Sequence, residues 1–161
     1  MTDTEAVDFD AVRTYTENAF PFKRYLGITF PAIDRDGATA ALPERPELLN
    51  HVGTVHAGAL FTVAEGAAAG AFSGGFASRA DGLAPLVRTA SIAFRKPARG
   101  RITGSGRIVG DVAEILDRLA TDGRVSFDIQ TELRDADGVT VVEATFEYYL
   151  RASSSRAAET G

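Results

Sequence analysis

The chain has 161 residues, of which 45% are hydrophobic and 24% charged, and its formal net charge is −5. This composition is ordinary for one globular domain, and the acidic balance argues against affinity for nucleic acid or anionic membranes. The chain has no cysteine and only two histidines. Disulfides and a cysteine nucleophile are therefore excluded, and we expect neither a metal nor a cofactor.

The first fifty residues predict a short helix followed by two strands. Residues 8–20 carry apolar side chains near helical spacing, and Pro21 ends this helix or begins another turn. The strands Leu26–Ile33 and Ala38–Leu42 flank a turn-rich link. The opening residues Met1–Glu5 have neither a basic start nor an apolar stretch, so we expect no secretory signal and a cytoplasmic protein.

An apolar segment, Ala57–Ser78, follows these strands. Its 22 residues include one charge, Glu65, and length alone would permit a membrane span. Five glycines and many alanines dilute its hydrophobicity, and a carboxylate near its middle would be costly inside a membrane. We expect instead a helix that the rest of the same protein wraps, because a helix that is apolar all round needs burial.

The second half predicts four strands and one helix. In chain order these are the strands Val87–Lys96 and Arg101–Val109, the helix Asp111–Thr121, and two strands with alternating apolar residues at 125–133 and 142–150. One long apolar helix and about six strands, mostly joined without crossover helices, predict an α+β protein with an antiparallel sheet wrapped around that helix. We expect a single domain over residues 1–151 and a disordered tail over 152–161.

The segment Asn50–Gly58 leads into the apolar helix and contains residues suited to chemistry. The first amides of a helix lack intrahelical acceptors, so those of Ala57 and Gly58 could hold a carbonyl oxygen that becomes an oxyanion. Glu65 is the single charge of the helix, and apolar surroundings make a carboxylate a better general base near neutral pH. The plain alternative for Glu65 is a carboxylate that bonds across a subunit interface without doing chemistry.

His56 and Glu65 stand nine residues apart, which on one helix is a rise of about 13 Å and a rotation of about 180°. They cannot serve one reacting atom from the same helix. Either one of them is structural, or a second copy of the chain completes the site. A two-fold dimer supplies that copy, and we expect the small residues Gly66, Ala67 and Gly70 to allow its close approach.

Seven residues between positions 50 and 65 resemble the active-site signature of hotdog-fold acyl-CoA thioesterases of the phenylacetyl-CoA type. They are Asn50, Gly53, His56, Gly58, Leu60, Ala64 and Glu65. In that family the signature runs Asn, Gly, His-Gly-Gly, and then Leu-Ala-Asp or Leu-Ala-Glu. The resemblance extends from about Tyr25 to Leu150, and the helix at 111–121 together with the Asp137-Gly138 hairpin looks like an uncharacterised branch of the superfamily.

The resemblance implies a hotdog fold and hydrolysis of acyl-CoA to free acid and coenzyme A. It also implies a homodimer or a dimer of dimers, with each site shared between two subunits. Asn50 would orient the thioester or the attacking water, and the Ala57 amide would form the oxyanion hole. His56 would shape the helix entry and contact the carbonyl, and Glu65 of the other subunit would be nucleophile or general base.

Two glycines of this signature, Gly53 and Gly58, would lie against the substrate. Two departures from the family pattern matter. Ala57 stands where the family usually has the first glycine of a pair, so the amide survives but the methyl group narrows the approach. Val63 stands where leucine is usual, which is a small change in packing.

The run from Arg95 to Arg101 places four basic residues among seven in an acidic chain. Contact with the phosphates of coenzyme A is the functional interpretation, with Arg95, Lys96 and Arg99 as the candidate ligands. In the resembling family this strand end lies near the nucleotide part of the ligand. A solvated strand end is the plain alternative.

Two other functions stay open. A non-catalytic acyl-CoA-binding module is compatible with Ala57 in the oxyanion position. A hotdog dehydratase or hydratase usually carries a His-Phe-Pro-Gly or an Asp-x-Asn-Pro-x-His stretch, and this chain has neither. Structural roles are also open for Asn50, as a loop residue that bonds its own backbone, and for His56, at the helix entry. The small-residue helix is compatible with aromatic or medium aliphatic acyl groups.

Overall fold

The computed structural model describes residues 6–79 and 82–152. The helices over these residues are α1 (Phe9–Ala19), α2 (Pro21–Leu26), α3 (Ala57–Gly75) and α4 (Val112–Asp122), with short 3-10 turns at Pro46–Leu48 and Ala77–Arg79. The strands are β1 (Thr29–Ile33), β2 (Ala38–Leu42), β3 (Leu86–Phe94), β4 (Ile102–Ile108), β5 (Arg124–Arg134) and β6 (Thr140–Arg151).

The first strand begins later than predicted because a second short helix precedes it. Pro21 occupies the first turn of α2, where its fixed φ suits the helix and its missing N–H costs nothing. Gly27 ends α2 in the left-handed region, with φ of 79°. The prediction that a strand starts at Leu26 is therefore wrong, and β1 starts at Thr29.

The six strands form one sheet in the order β1-β2-β4-β5-β6-β3, and every neighbouring pair is antiparallel. This confirms the predicted antiparallel sheet. The alternation predicted for β5 is present, since the buried residues alternate with more exposed ones; the buried set is Val125, Phe127, Ile129, Thr131 and Leu133. β1 and β3 are the two edge strands, and β3 becomes important for the site.

α3 packs against this sheet, and the packing is close because small residues line the contact. A Cβ atom on Gly70 would come 2.8 Å from the Cβ atom of Ala38, and one on Gly106 of β4 would collide with the main chain at Ala67. Ala67 is fully buried. The expectation that Gly66, Ala67 and Gly70 allow close approach of a partner is therefore wrong, because they face their own chain.

The sheet wrapped around α3 is the arrangement that the hotdog resemblance implies. No helix in the described part of the chain is long and apolar enough to cross a membrane. The predicted tail, 152–161, lies outside the described residues from position 153 onward. Ala152 itself donates its amide hydrogen to the carbonyl of Gly123 at 2.9 Å.

Candidate functional site

The loop before α3 is held by the side chain of Asn50. Its Oδ1 accepts the amide hydrogens of Val52 at 3.0 Å and Thr54 at 3.1 Å, and its Nδ2 donates to Oγ1 of Thr54 at 2.9 Å. Gly53 completes the turn with φ of 76°, a conformation that favours glycine. In this chain Asn50 therefore organises its own loop and presents the start of α3.

At the start of α3, His56 is the N-cap and its Nδ1 atom accepts the amide hydrogen of Gly58 at 2.9 Å. The Gly58 amide is thus already bonded, and the expectation that it could hold a carbonyl oxygen is wrong. Among residues 6–79 and 82–152 the amide of Ala57 has no acceptor, and Ala57 is exposed. Of the two amides predicted for an oxyanion, that of Ala57 remains.

The free amide opens into a cleft of about 460 Å³. The predicted site residues that share this cleft are Asn50, Ala57, Arg95, Lys96 and Arg99. The structure therefore brings the candidate oxyanion donor and the predicted phosphate ligands together within one chain.

The three basic residues of the cleft differ in how far they are already engaged. Arg95 is paired with Glu143, with Nε and Oε2 2.8 Å apart. Arg99 reaches the carbonyl of Gly53 through Nη1 at 3.4 Å. Lys96 is exposed and forms no salt bridge with any described residue. Of the three, Lys96 is the one most available for an anion.

Glu65 lies away from that cleft, at the wall of a second cavity of about 790 Å³ between α1, α3, the start of β3 and β6. The lining is largely apolar and aromatic, and it includes Val12, Phe72, Phe76 and Leu83. Within one chain the structure therefore does not bring Glu65 to the Ala57 amide. The separation matches the spacing along the helix that the sequence predicted.

Glu65 is the single charge of α3, as the sequence indicates, but Lys23 of α2 meets it. Nζ of Lys23 lies 2.7 Å from Oε2 of Glu65. Lys23 is only 5% exposed, and its ammonium also stands 3.6 Å from the centroid of the Phe20 ring. No pattern in the sequence marked Lys23, since it lies in a six-residue helix too short to show periodicity.

Tyr148 completes the polar part of this second cavity. Burial raises the pKa of Tyr148 above its ordinary value, and the Glu65 carboxylate raises it further. The ring stacks on Phe72, with centroids 5.8 Å apart. The sequence placed Tyr148 on the apolar face of the last strand and so predicted its burial, but not its position beside Glu65.

Comparison with known proteins supports the resemblance. A family model described as a domain of unknown function (DUF4442) matches residues 10–150. No curated protein matches the chain. Among solved structures, PA5026 of Pseudomonas aeruginosa, described as of unknown function and a probable thioesterase, is 25% identical with a TM-score of 0.77, covering 91% of this chain and 97% of its own.

Two more distant structures share the fold. A mutant of the thioesterase PA1618 of Pseudomonas aeruginosa is 19% identical, with a TM-score of 0.68 and coverage of 89% of this chain and 94% of its own. A hypothetical thioesterase of Streptococcus pneumoniae, solved with coenzyme A, is 19% identical, with a TM-score of 0.59 and coverage of 78% of this chain and 88% of its own. The chain belongs to the DUF4442 family, an uncharacterised branch of the hotdog-fold thioesterase superfamily.

Proposed function

We propose that the chain hydrolyses acyl-CoA thioesters to free acid and coenzyme A in a site that two subunits share. The observation that carries the proposal is the Ala57 amide, which is exposed and without an acceptor in the described structure, at the start of a 19-residue helix. The positive end of the helix and a free N–H together suit the oxyanion that forms when a thioester is attacked. One such donor lowers the barrier by about 3 kcal/mol.

The cleft beside that amide suits coenzyme A. Lys96 and Arg99 place positive charge where the phosphates would lie, and the apolar Phe94 and Leu60 line the passage toward Ala57. The structure of a hypothetical thioesterase of Streptococcus pneumoniae with the same fold was solved with coenzyme A. That neighbour supports coenzyme A as a ligand for a protein of this fold, and the positive charge of the cleft is what suggests the place here.

The carboxylate of the site must come from a second copy. Ala57 and Glu65 are separated by about 12 Å along α3 and face different cavities. The edge strand β3 offers a surface for that copy, because Val87 is 41% and Phe94 is 49% exposed on it. Long exposed edges are normally paired or covered. We therefore propose a homodimer, or a dimer of such dimers, joined along β3.

The acyl group would occupy the cavity beside Glu65. A volume of about 790 Å³ with an apolar and aromatic lining falls in the range of small-molecule sites. Phe72 and Phe76, whose stacked rings lie 4.6 Å apart, offer flat faces to an aromatic acyl group and apolar surface to a medium aliphatic one.

A non-catalytic acyl-CoA-binding module is the second candidate, and two observations favour it. Ala57 carries a methyl group where the resembling family usually has glycine, and Glu65 is paired with Lys23. Both features leave binding intact while hindering attack on the thioester.

Turnover separates the two functions. Pure protein is incubated with a panel of acyl-CoAs, including phenylacetyl-CoA and octanoyl-CoA, in the presence of a thiol reagent. We expect release of thiol in proportion to protein, and its loss in Glu65→Gln but not in Glu114→Gln, an exposed carboxylate on α4. Tight binding without thiol release would overturn the thioesterase proposal and support the module, and hydration of an enoyl-CoA without thiol release would indicate a hydratase.

A further inference from the structure

Lys23 is a lysine held in the interior next to the proposed catalytic carboxylate. It is 5% exposed, its Nζ atom lies 2.7 Å from Oε2 of Glu65, and the Phe20 ring covers it at 3.6 Å. Lysine is almost never buried unless it is paired, so the pair and the aromatic face explain how it can lie there. The ion pair and the aromatic ring do not explain why a lysine, and not an apolar residue, occupies this buried position.

The backbone around Lys23 fixes where its ammonium stands. α2 begins at Pro21 and ends at Gly27, so both ends are defined by residues with restricted or special φ. Nη2 of Arg45 donates to the carbonyl of Leu26 at 2.9 Å, which ties α2 to the loop after β2. The Lys23 stem runs along α3 at Gly66, where an added Cβ would lie 3.6 Å from Cε of Lys23.

Stability alone is a poor reason to keep this pair. The side chain of Lys23 is 6% exposed and that of Glu65 is 27% exposed, so the desolvation of Lys23 offsets much of the attraction within the pair. The cavity beside Glu65 is largely apolar, with Val12, Ala69 and Phe72 on its walls. Apart from Glu65 itself, the titratable groups that line it are Tyr15 and Tyr148. A role in the chemistry accounts better for a charged pair in this setting.

We propose that Lys23 is a positioning residue for Glu65, a role that rests on the proposed thioesterase function. An ion pair of 2.7 Å anchors Oε2 and leaves Oε1 of Glu65 to act on the water or the thioester presented by the partner subunit. Lys23 itself touches neither substrate nor water in this role. It fixes the direction of the carboxylate, because small displacements of a reacting group are costly in rate.

The test compares Lys23→Met, Lys23→Arg and Arg24→Met, in which the last removes an exposed cation from the same helix. We expect Lys23→Met to lower kcat by roughly 10-fold to 10²-fold with KM little changed, since only the reacting group is displaced. Lys23→Arg keeps the ion pair and should recover a large part of kcat. Arg24→Met should match the wild type.

A double variant shows whether Lys23 acts through Glu65. Once Glu65→Gln has removed the base, Lys23→Met should have no further effect on the residual kcat, because residues that act as a unit are not additive. Thermal unfolding of each variant establishes that the protein is folded at the assay temperature. If Lys23→Met does not fold, Lys23→Gln gives the same comparison with one neutral donor retained.

The two proposals fail in different ways. If the wild type releases no thiol from any acyl-CoA, the thioesterase proposal fails and the role of Lys23 falls with it. If the wild type is active and Lys23→Met, folded, keeps the wild-type kcat, only the role of Lys23 is overturned. Two other results would also overturn the role of Lys23. One is that Lys23→Arg has a kcat as low as that of Lys23→Met. The other is that Lys23→Met lowers kcat by the same factor in the Glu65→Gln protein as in the wild type.

Discussion

The Nδ1 atom of His56 accepts the amide hydrogen of Gly58 at 2.9 Å, so this histidine caps the helix that it precedes. The bond occupies the second amide of α3 and leaves the exposed amide of Ala57 free. The family signature places a histidine next to the oxyanion position, and this geometry gives that histidine a structural task. The distinction between capping and chemistry can be measured.

Substitutions at His56 separate the two roles. His56→Ala removes the cap and should lower the free energy of unfolding by about 1 kcal/mol. His56→Asn supplies another capping side chain and should lower it by only a few tenths of a kcal/mol. Urea unfolding measures both. We expect turnover of His56→Asn to stay within about tenfold of the wild type. A fall of about 10²-fold or more, the size typical of a lost general acid or base, would show that His56 takes part in the reaction.

Ala57→Pro tests the oxyanion amide directly. Proline is well suited to the first helical position, and His56 already has an extended backbone with φ of −62° and ψ of 138°, as a residue before proline requires. The free energy of unfolding should therefore be nearly unchanged, while kcat should fall by about 10²-fold to 10³-fold because the donor is gone. Ala57→Ser, which adds bulk but keeps the amide, is the control. Full activity in Ala57→Pro would contradict the proposed oxyanion hole.

Tyr148 should make the stability of the fold depend on alkaline pH. Burial and the Glu65 carboxylate raise its pKa above the ordinary value of 10.0, so the folded state favours the protonated phenol. The contribution to stability is therefore complete below about pH 10 and declines as the pH rises above it, where the unfolded chain loses the proton first. Urea unfolding between about pH 8 and about pH 11 should show a steeper loss for the wild type than for Tyr148→Phe. Tyr149→Phe, on the opposite face of β6, should behave as the wild type, and equal slopes in all three proteins would contradict the assignment.

Coenzyme A should bind in the basic cleft, and salt should weaken the complex because charge contacts to phosphate are screened. Lys96→Met removes the basic side chain that forms no salt bridge in the described structure and should weaken binding by roughly threefold at low salt, with a shallower salt dependence. Arg118→Met, on α4 and outside the cleft, should bind as the wild type. Titration calorimetry measures all three. If coenzyme A does not bind at low salt, both the thioesterase and the binding-module proposals lose their support.

The elements that the sequence predicted well are those with a regular pattern. β2 has the predicted bounds Ala38–Leu42, and α3 begins at Ala57, where the apolar segment starts. The sequence does not predict α2, because six residues are too few to show helical periodicity. The helix end at Gly27 is not recognised either, because the apolar residues around it favour a strand that begins at Leu26. The spacing of apolar residues predicts only elements long enough to show a period, whereas α2 is defined by Pro21 in its first turn and Gly27 at its C-cap.

The site shows the same division. Asn50, Ala57 and the basic run could be grouped from the sequence because they flank one helix entry and one strand end. The Lys23–Glu65 pair could not, since it joins two helices whose packing is set by the whole sheet. The expectation for Gly66 and Gly70 was wrong for a related reason: small residues allow close packing, but the sequence does not say which neighbour approaches.

The shared site predicts that two inactive variants restore each other. Glu65→Gln keeps an oxygen for Lys23 but removes the base, so turnover should fall by at least about 10²-fold while the protein stays folded. Ala57→Pro removes the amide at the other end of the site. In a mixed dimer, one site would combine the intact amide of the first chain with the intact Glu65 of the second, and the other site would lack both.

Random exchange of subunits makes half of the dimers mixed, so about a quarter of the wild-type activity should return when equal amounts are combined. Native mass measurement establishes that exchange has taken place, and each variant incubated with itself gives the background. A site contained within one chain would return nothing, because every chain in the mixture carries one of the two defects. Exchange without recovery would therefore overturn the shared site, and it would do so even if each single variant were inactive as expected.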